Sequence, residues 1–420
     1  MIAAFTMLAA ACSGGGHSTS QVRPAANATG GAVGATAPAT AAAAPAVTIT
    51  PANGATNADP SAGITVTAAH GTLKNVIVRT AGDTVSGALS QGGSVWHSQW
   101  ALNTSQRYTV TATASGGGRG RVTTTSTFRT LTPAKTFRTQ IFEGYQQTYG
   151  VGIPIILTFS QPIADRAAVE RSLQLATSRP VVGAWYWDGS QNLDFRPRDY
   201  WPSGTTVSFT GHLNGVQGAP GMYGTHTLTQ TFSIGASLVA VGNTATHRTQ
   251  IYDNGKLRYD WPISSGRPGD DTPDGSYLTI EKGNPVEMKG PGYDLMVPWS
   301  VRFTFSGDYY HDAYWSTGEQ GFQNVSHGCI NLPPADAETY YNLAVPGDPI
   351  TIIGSPKGGT WDDGWTEWFL SWPQYLKGSA LHQAVRAGPD GSTFVDPASL
   401  TASTATAPLQ TSPAGNASAR

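Results

Sequence analysis

The densest group of reactive side chains is the run Ser326-His327-Gly328-Cys329-Ile330-Asn331, with His311 further upstream. A thiol, a histidine and backbone donors are what acyl transfer through a cysteine requires: a nucleophile, a base to take its proton, and amides to meet the oxyanion. Cys329 supplies the thiol. Either histidine can supply the base: His327 lies two residues away, on the same face if the segment is extended, and His311 can arrive from a neighbouring strand end. Gly328 lets the backbone approach a bound carbonyl and leaves its amide accessible. A cysteine and a histidine alone would more often be a buried thiol beside ordinary imidazoles; the local density of Ser, His, Gly, Cys and Asn favours catalysis. A metal site would need further ligands at compact spacing, which the sequence does not offer, so neither metal nor cofactor is expected.

The chain has two cysteines, Cys12 and Cys329. The first eleven residues, MIAAFTMLAAA, are almost wholly apolar and too short to span a bilayer; they read as a signal peptide. Ala10 and Ala11 before Cys12 resemble a lipobox, although Ala9 stands where a leucine is usual. Export as a lipoprotein, anchored through Cys12 on the outer face of the cytoplasmic membrane, is therefore expected. It leaves Cys329 as an unpaired thiol, a candidate nucleophile rather than half of a disulfide. Only 12% of the residues are charged, for a net charge of -2, and no basic block stands out, which argues against a nucleic-acid partner.

The elements that must position these residues read as mainly β. After the signal peptide and lipobox (1–12) comes a Gly, Ser, Thr and Ala-rich linker (13–45), a tether unable to bury a core. Residues 46–133 hold short alternating strands such as Ile64 to Thr67, Val76 to Val78 and Tyr108 to Thr111, the pattern of an immunoglobulin-like sandwich. A second such module spans 134–235, with a buried strand from Ile153 to Phe159, a short helix capped by Asp165 and running through Leu173, and Trp185, Trp187, Phe195, Tyr200 and Trp201 as core. Residues 236–356 form the segment carrying Cys329: an Asn254-Gly255 hairpin, strands at Tyr277 to Ile280 and Val301 to Phe305, and one helix from Pro334 to Leu343. A tryptophan-rich appendage (357–386) with Trp361, Trp365, Trp368 and Trp372 packs back onto the body. A small, polar, disordered tail (387–420) is expected to follow.

The segment from His311 to Asn331 resembles the active-site motif of the L,D-transpeptidases, whose catalytic domain has the YkuD-type fold. Ser264-Ser265-Gly266 and Asp271-Thr272-Pro273-Asp274-Gly275 are similar to the family's early strand-turn signature. The order of modules resembles the subgroup with two immunoglobulin-like domains ahead of the catalytic one, and the likeness runs from about residue 47 to 380. This resemblance implies that Cys329 attacks the bond between the third and fourth residues of a peptidoglycan stem tetrapeptide and releases D-alanine. His311 would be the base, oriented by the backbone carbonyl of Asp312; His327, Gly328 and Cys329 would shape the oxyanion pocket; Asn331 would brace the loop. Ser326, Trp315, Tyr293 and Met288 would line the substrate path, under a lid from Met288 to Phe305 hinged at Gly290 and Gly292. A diaminopimelate side-chain amine on a neighbouring stem would then take the acyl group, giving a 3→3 cross-link, and carbapenems would acylate the same thiol. The residue after the catalytic histidine is often small or neutral in the family. Here it is Asp312, whose side chain is expected to turn to solvent, and an inward carboxylate would raise the His311 pKa. Attack by water would make the protein a carboxypeptidase or endopeptidase, and attack by another amine a lipoprotein-to-peptidoglycan ligase. A non-catalytic wall-binding protein is the reading of another class, and one with no use for an exposed thiol.

Overall fold

Strict alternation builds the first sandwich. In the computed structural model, which describes residues 43–116, 120–290 and 292–400, the central strand Arg107–Ser115 buries Tyr108, Val110, Ala112 and Ala114. Its other face carries threonines, whose hydroxyls pair across to Arg121–Arg129: Thr109 with Thr127, Thr111 with Thr125 and Thr113 with Thr123, at 2.9 to 3.2 Å. This period of two is what lets one strand face both core and solvent. Strands Thr72–Arg79, Arg107–Ser115 and Arg121–Arg129 form one sheet; Ala46–Thr50, Thr65–Ala69, Val95–Ser98 and Gly87–Ser90 form the other. Ile64, Val66, Trp96 and Phe128 fill the space between them. The expected signal peptide, Cys12 and nearly all of the expected linker lie outside the described residues, as do residues 401–420 of the expected tail.

The second module is also a two-sheet sandwich. Leu173–Thr177, Thr206–Gly211, Leu228–Ile234 and Thr148–Tyr149 form one layer. The other has six strands, with Val181–Asp188, Asn192–Pro197 and Ile155–Phe159 at its centre. Trp185, Trp187, Phe195 and Trp201 are buried between the layers, with Tyr200 packed against them. The helix does start at Asp165, whose carboxylate accepts from the Ala168 amide at 3.1 Å, but it ends at Arg171, and Leu173 already opens the next strand. The expected disordered tail is a clear correction. Ala384–Gly388 pairs with Val181–Gly183, and Gly391–Val395 pairs with Ala384–Gly388, so the C-terminal hairpin extends the second module's sheet. Its cause is burial of Ala384, Val385 and Ala387 around a Gly-Pro-Asp-Gly turn. On the way there the tryptophan-rich segment seats Trp368 against the second module, its indole donating to the Gly152 carbonyl at 2.8 Å. The Arg196 guanidinium donates to the Leu370 carbonyl at 2.8 Å and lies 4.4 Å over both the Trp368 and Tyr375 rings.

The third module has its own core. A five-stranded sheet runs in the order Lys256–Pro262, Arg248–Asp253, Leu238–Asn243, Pro349–Ile353, Gly275–Leu278. The Asn254-Gly255 turn has both residues at positive φ (50° and 76°), as a two-residue hairpin of this kind needs. A second sheet holds Glu281–Gly283, Ser300–Arg302, Tyr309–Asp312 and Ile330–Leu332, and the helix Pro334–Leu343 packs on it through Ala337 and Tyr340. The strand expected through Phe305 stops at Arg302. Thr304 turns inward, its hydroxyl accepting from the amides of Gly307 (3.2 Å) and Asp308 (2.7 Å), and the chain folds into a loop over residues 303–308.

Candidate active site

The parallel pairing of Tyr309–Asp312 with Ile330–Leu332 brings the two halves of the motif together. His311 lies opposite Asn331 and Tyr310 opposite Ile330, so the bend that ends in Cys329 is delivered to the strand that carries His311. His311 is buried, and its Nδ1 sits 2.8 Å from the Asp312 backbone carbonyl. A carbonyl can only accept, so Nδ1 carries the hydrogen and Nε2 is the basic nitrogen. The ring stacks on Trp315 at 5.9 Å. Burial holds the imidazole down at about 4, the Asp312 carbonyl opposing that shift. Burial pushes the Cys329 thiol up to about 12, with Asp308 adding to the rise. Both groups therefore rest neutral, with the thiol donating to the Gly307 carbonyl at 3.8 Å, rather than as a thiolate-imidazolium pair.

Two expectations about Asp312 are corrected. Its side chain does not turn to solvent: the residue is buried and its Oδ1 has no hydrogen-bond partner. Burial raises the Asp312 carboxyl itself. Nor is the His311 pKa raised; the cost of desolvating an imidazolium outweighs everything around it.

The turn from Ser326 to Cys329 is fixed from several sides. The Ser326 hydroxyl donates to the Cys329 carbonyl at 2.6 Å and accepts from the Gly328 amide at 3.2 Å. Ser326 is thus a buried brace rather than a wall of the substrate path, and the Gly328 amide is engaged in this state. Thr272 accepts from the Gly266 amide at 2.9 Å and donates to the Gly328 carbonyl at 2.5 Å, tying the upstream Ser-Ser-Gly and Asp-Thr-Pro segments to the turn. Asn331 donates to Ser316 Oγ at 2.9 Å, bracing the short turn that carries Trp315. Gly328 adopts φ +133°, and a Cβ there would stand 2.4 Å from Asp308 Oδ1. No side chain other than hydrogen fits that position.

The hairpin Val286–Gly290 and Tyr293–Val297 lies beside the site. Tyr293 places its ring 4.9 Å from the exposed His327 ring, and Met288 pairs with Leu295. Gly292 has φ +87°, suiting a sharp turn, while Pro291 lies outside the described residues. Trp315 and Tyr314 stay largely exposed and meet edge to face at 4.9 Å. Asp308, Thr304 and Tyr314 also border the site without a sequence motif to mark them. The strand pattern read through Phe305 concealed the loop that delivers Asp308; no motif marks it.

Comparison with known proteins gives the class to which this arrangement belongs. Residues 237–352 match the family model described as the L,D-transpeptidase catalytic domain, and residues 55–217 match a bacterial Ig domain. The chain is 32% identical to L,D-transpeptidase 2 of Mycobacterium tuberculosis over 80% of its own length and 85% of the relative's. It is 34% identical to L,D-transpeptidase 5 of the same species over 80% and 78%. A solved structure of the L,D-transpeptidase LdtMt1 in complex with imipenem is 35% identical, aligned over 53% of this chain and all of that one at a TM-score of 0.45. The chain belongs to the L,D-transpeptidase family: it is a transpeptidase in which an immunoglobulin-like region precedes a YkuD catalytic domain.

Proposed function

We propose that this enzyme forms 3→3 cross-links in peptidoglycan through an acyl-enzyme on Cys329. The observation that carries the reading is the strand register that brings the bend ending in Cys329 to the strand of a neutral, carbonyl-oriented His311. With the thiol near 12 and the imidazole near 4, proton transfer accompanies attack instead of preceding it. His311 Nε2 takes the thiol proton as Sγ adds to the carbonyl of the third stem residue. The amides of His327 and Cys329 receive the oxyanion, joined by that of Gly328 once it leaves the Ser326 hydroxyl. The imidazolium then gives its proton to the departing amine of D-alanine, and the thioester remains. A diaminopimelate side-chain amine on a second stem displaces Cys329. Tyr293, Met288 and Trp315 shape the donor path, and Asn331 and Ser326 hold the turn. Carbapenems act as donor mimics on the same thiol; the imipenem complex of LdtMt1 supports that extension. Action in the wall, from a lipid anchor at Cys12, is part of the proposal and rests on the apolar run and small residues before that cysteine.

Intact-mass analysis of the ectodomain mixed with tetrapeptide muropeptides tests this. An adduct of the stem less D-alanine, resolving into a cross-linked dimer, is expected for the wild type and not for Cys329→Ala. An adduct retained on Cys329→Ala defeats the nucleophile assignment. Resolution by water alone makes the enzyme a carboxypeptidase.

A further inference from the structure

The thiol is flanked by a second ionisable group that the steps above leave idle. Asp308 closes the loop 303–308 and immediately precedes the strand Tyr309–Asp312, so it and His311 lie toward opposite ends of that strand. Its backbone is fixed at both ends: its amide donates to the Thr304 hydroxyl at 2.7 Å and its carbonyl accepts from Phe303 N at 3.0 Å. Its carboxyl reaches over the Gly328 Cα, into the space a Cβ would fill. It bears on the Cys329 thiol and on the Tyr293 phenol, raising both. The charged groups that face it are Asp363 and, at longer range, Lys357, while Asp270 joins it in acting on Tyr293; no Lys or Arg forms an ion pair with Asp308 among the described residues.

A carboxylate beside a nucleophilic thiol opposes thiolate formation, so in the first half-reaction Asp308 is a cost. Once Cys329 is a thioester it bears no charge and the cost disappears. The second half-reaction then needs what Asp308 offers. The acceptor arrives as an ammonium, which must be held and must shed two protons in becoming an amide. His311 can take one, and the thiolate recovers it on departure. The other needs a second acceptor.

We propose that Asp308 is a catalytic residue of the second half-reaction, binding the acceptor ammonium through its carboxylate and taking the first of its two protons. The inference rests on the acyl-enzyme reading above. Step by step, the ammonium transfers one proton to the Asp308 carboxylate, and the free amine adds to the thioester carbonyl as the C–N bond forms. The second nitrogen proton passes to His311 as the C–S bond breaks, and from His311 to the departing thiolate. Asp308 returns its proton to solvent. Thioester and ammonium thus become amide, thiol and one released proton, with no oxidant or reductant involved.

The test separates the two halves by choice of acceptor. A tetrapeptide stem serves as donor, and either a second stem or hydroxylamine, which is uncharged at neutral pH, captures the acyl group. Asp308→Asn is expected to slow capture by the stem amine at least about tenfold while capture by hydroxylamine does not fall. An equal fall with both acceptors, or none with either, overturns the proposal. The wild-type pH profile gives an independent reading should the variant not fold. Burial lifts Asp308 to about 6, so stem capture should climb to about that pH and level off. A climb continuing toward the amine's own value of about 10 overturns the proposal. If wild-type protein shows no stem adduct on Cys329, the acyl-enzyme reading itself fails, and the mass spectrum distinguishes that case.

Discussion

At the scale of single residues, the site is governed by burial more than by charge pairing. His311 is held neutral well below the ordinary imidazole value of 6.5, so the acid limb of acylation should fall at about pH 4 and not near neutrality. Acylation by a carbapenem, followed by mass across the pH range, checks this; a limb centred near pH 6.5 would point to a more solvated base. The same shift has a stability consequence with a definite sign. The unfolded imidazole binds a proton at a pH where the folded one does not, so the His311 contribution is fully present above about 6.5 and is lost as pH falls through about 4. Asp312 offers a second prediction. Its backbone carbonyl orients His311, whereas its carboxyl is buried with one oxygen unpartnered. Asp312→Asn should keep acylation within about tenfold, roughly 1.4 kcal/mol of barrier, and should raise the melting temperature at neutral pH, because a buried carboxylate is replaced by a neutral amide. A loss as large as that of His311→Ala would instead make the carboxylate a working member of the site.

At the scale of elements, the hairpin beside the site and the buried carboxyls make separable predictions. Tyr293 opens the strand Tyr293–Val297 of the hairpin, half-buried against His327. Tyr293→Ala should slow acylation by a stem peptide much more than it lowers Tm; matched losses in both would assign the ring to packing. Glu143 and Glu367 lie fully buried between the second sandwich and the tryptophan-rich segment, where burial lifts their carboxyls to about 8 and about 7. A carboxyl raised by folding stabilises the native state below its unfolded pKa, and that contribution is lost as pH rises through the folded value. Glu143→Gln should therefore lessen the decline in Tm between about pH 5 and about pH 9, as thermal melts at the two ends would show. These elements also show what was legible beforehand. The alternating threonine strands, the Asn254-Gly255 hairpin, the helix from Pro334 to Leu343 and the cluster around Cys329 each carry a local signal, a period, a turn pair or a motif. The loop 303–308 does not: Val301, Phe303 and Phe305 alternate like a strand, and only the tertiary demand that Thr304 bond two amides breaks the pattern. The C-terminal hairpin did carry a signal, Gly-Pro-Asp-Gly between short alternating runs, but small residues at a chain end read as a tail.

At the scale of the whole molecule, the second sandwich and the catalytic domain are joined backbone to backbone. The Gly150 amide donates to the Pro346 carbonyl at 2.8 Å and the Gly152 amide to the Gly347 carbonyl at 2.9 Å. A Cβ on Gly150 would stand 2.2 Å from the Asp348 amide nitrogen, so Gly150→Val should separate this junction and lower Tm while leaving the distant first sandwich folded. Hydrogen exchange would locate the loss, and uniform loosening of all three modules would contradict it. The first sandwich meets the second differently, through Trp100 stacked on His212 at 4.0 Å and Ser61 donating to the Gly215 carbonyl at 2.8 Å. The hairpin at residues 384–395 has a further consequence, for how such a protein can be taken apart and recombined. Because it completes a sheet begun some two hundred residues earlier, the chain leaves the second sandwich, builds the catalytic domain and comes back. Residues 237–352, which match the catalytic domain, are therefore an excursion from the sandwich rather than a cassette bolted to its end. A chimera cut only at the front of the catalytic domain would inherit a foreign closing hairpin and leave the strand Val181–Asp188 bare along one edge. The unit to exchange runs from the start of the second sandwich to the end of that hairpin, and the Trp100–His212 and Ser61–Gly215 contacts must be matched at its front.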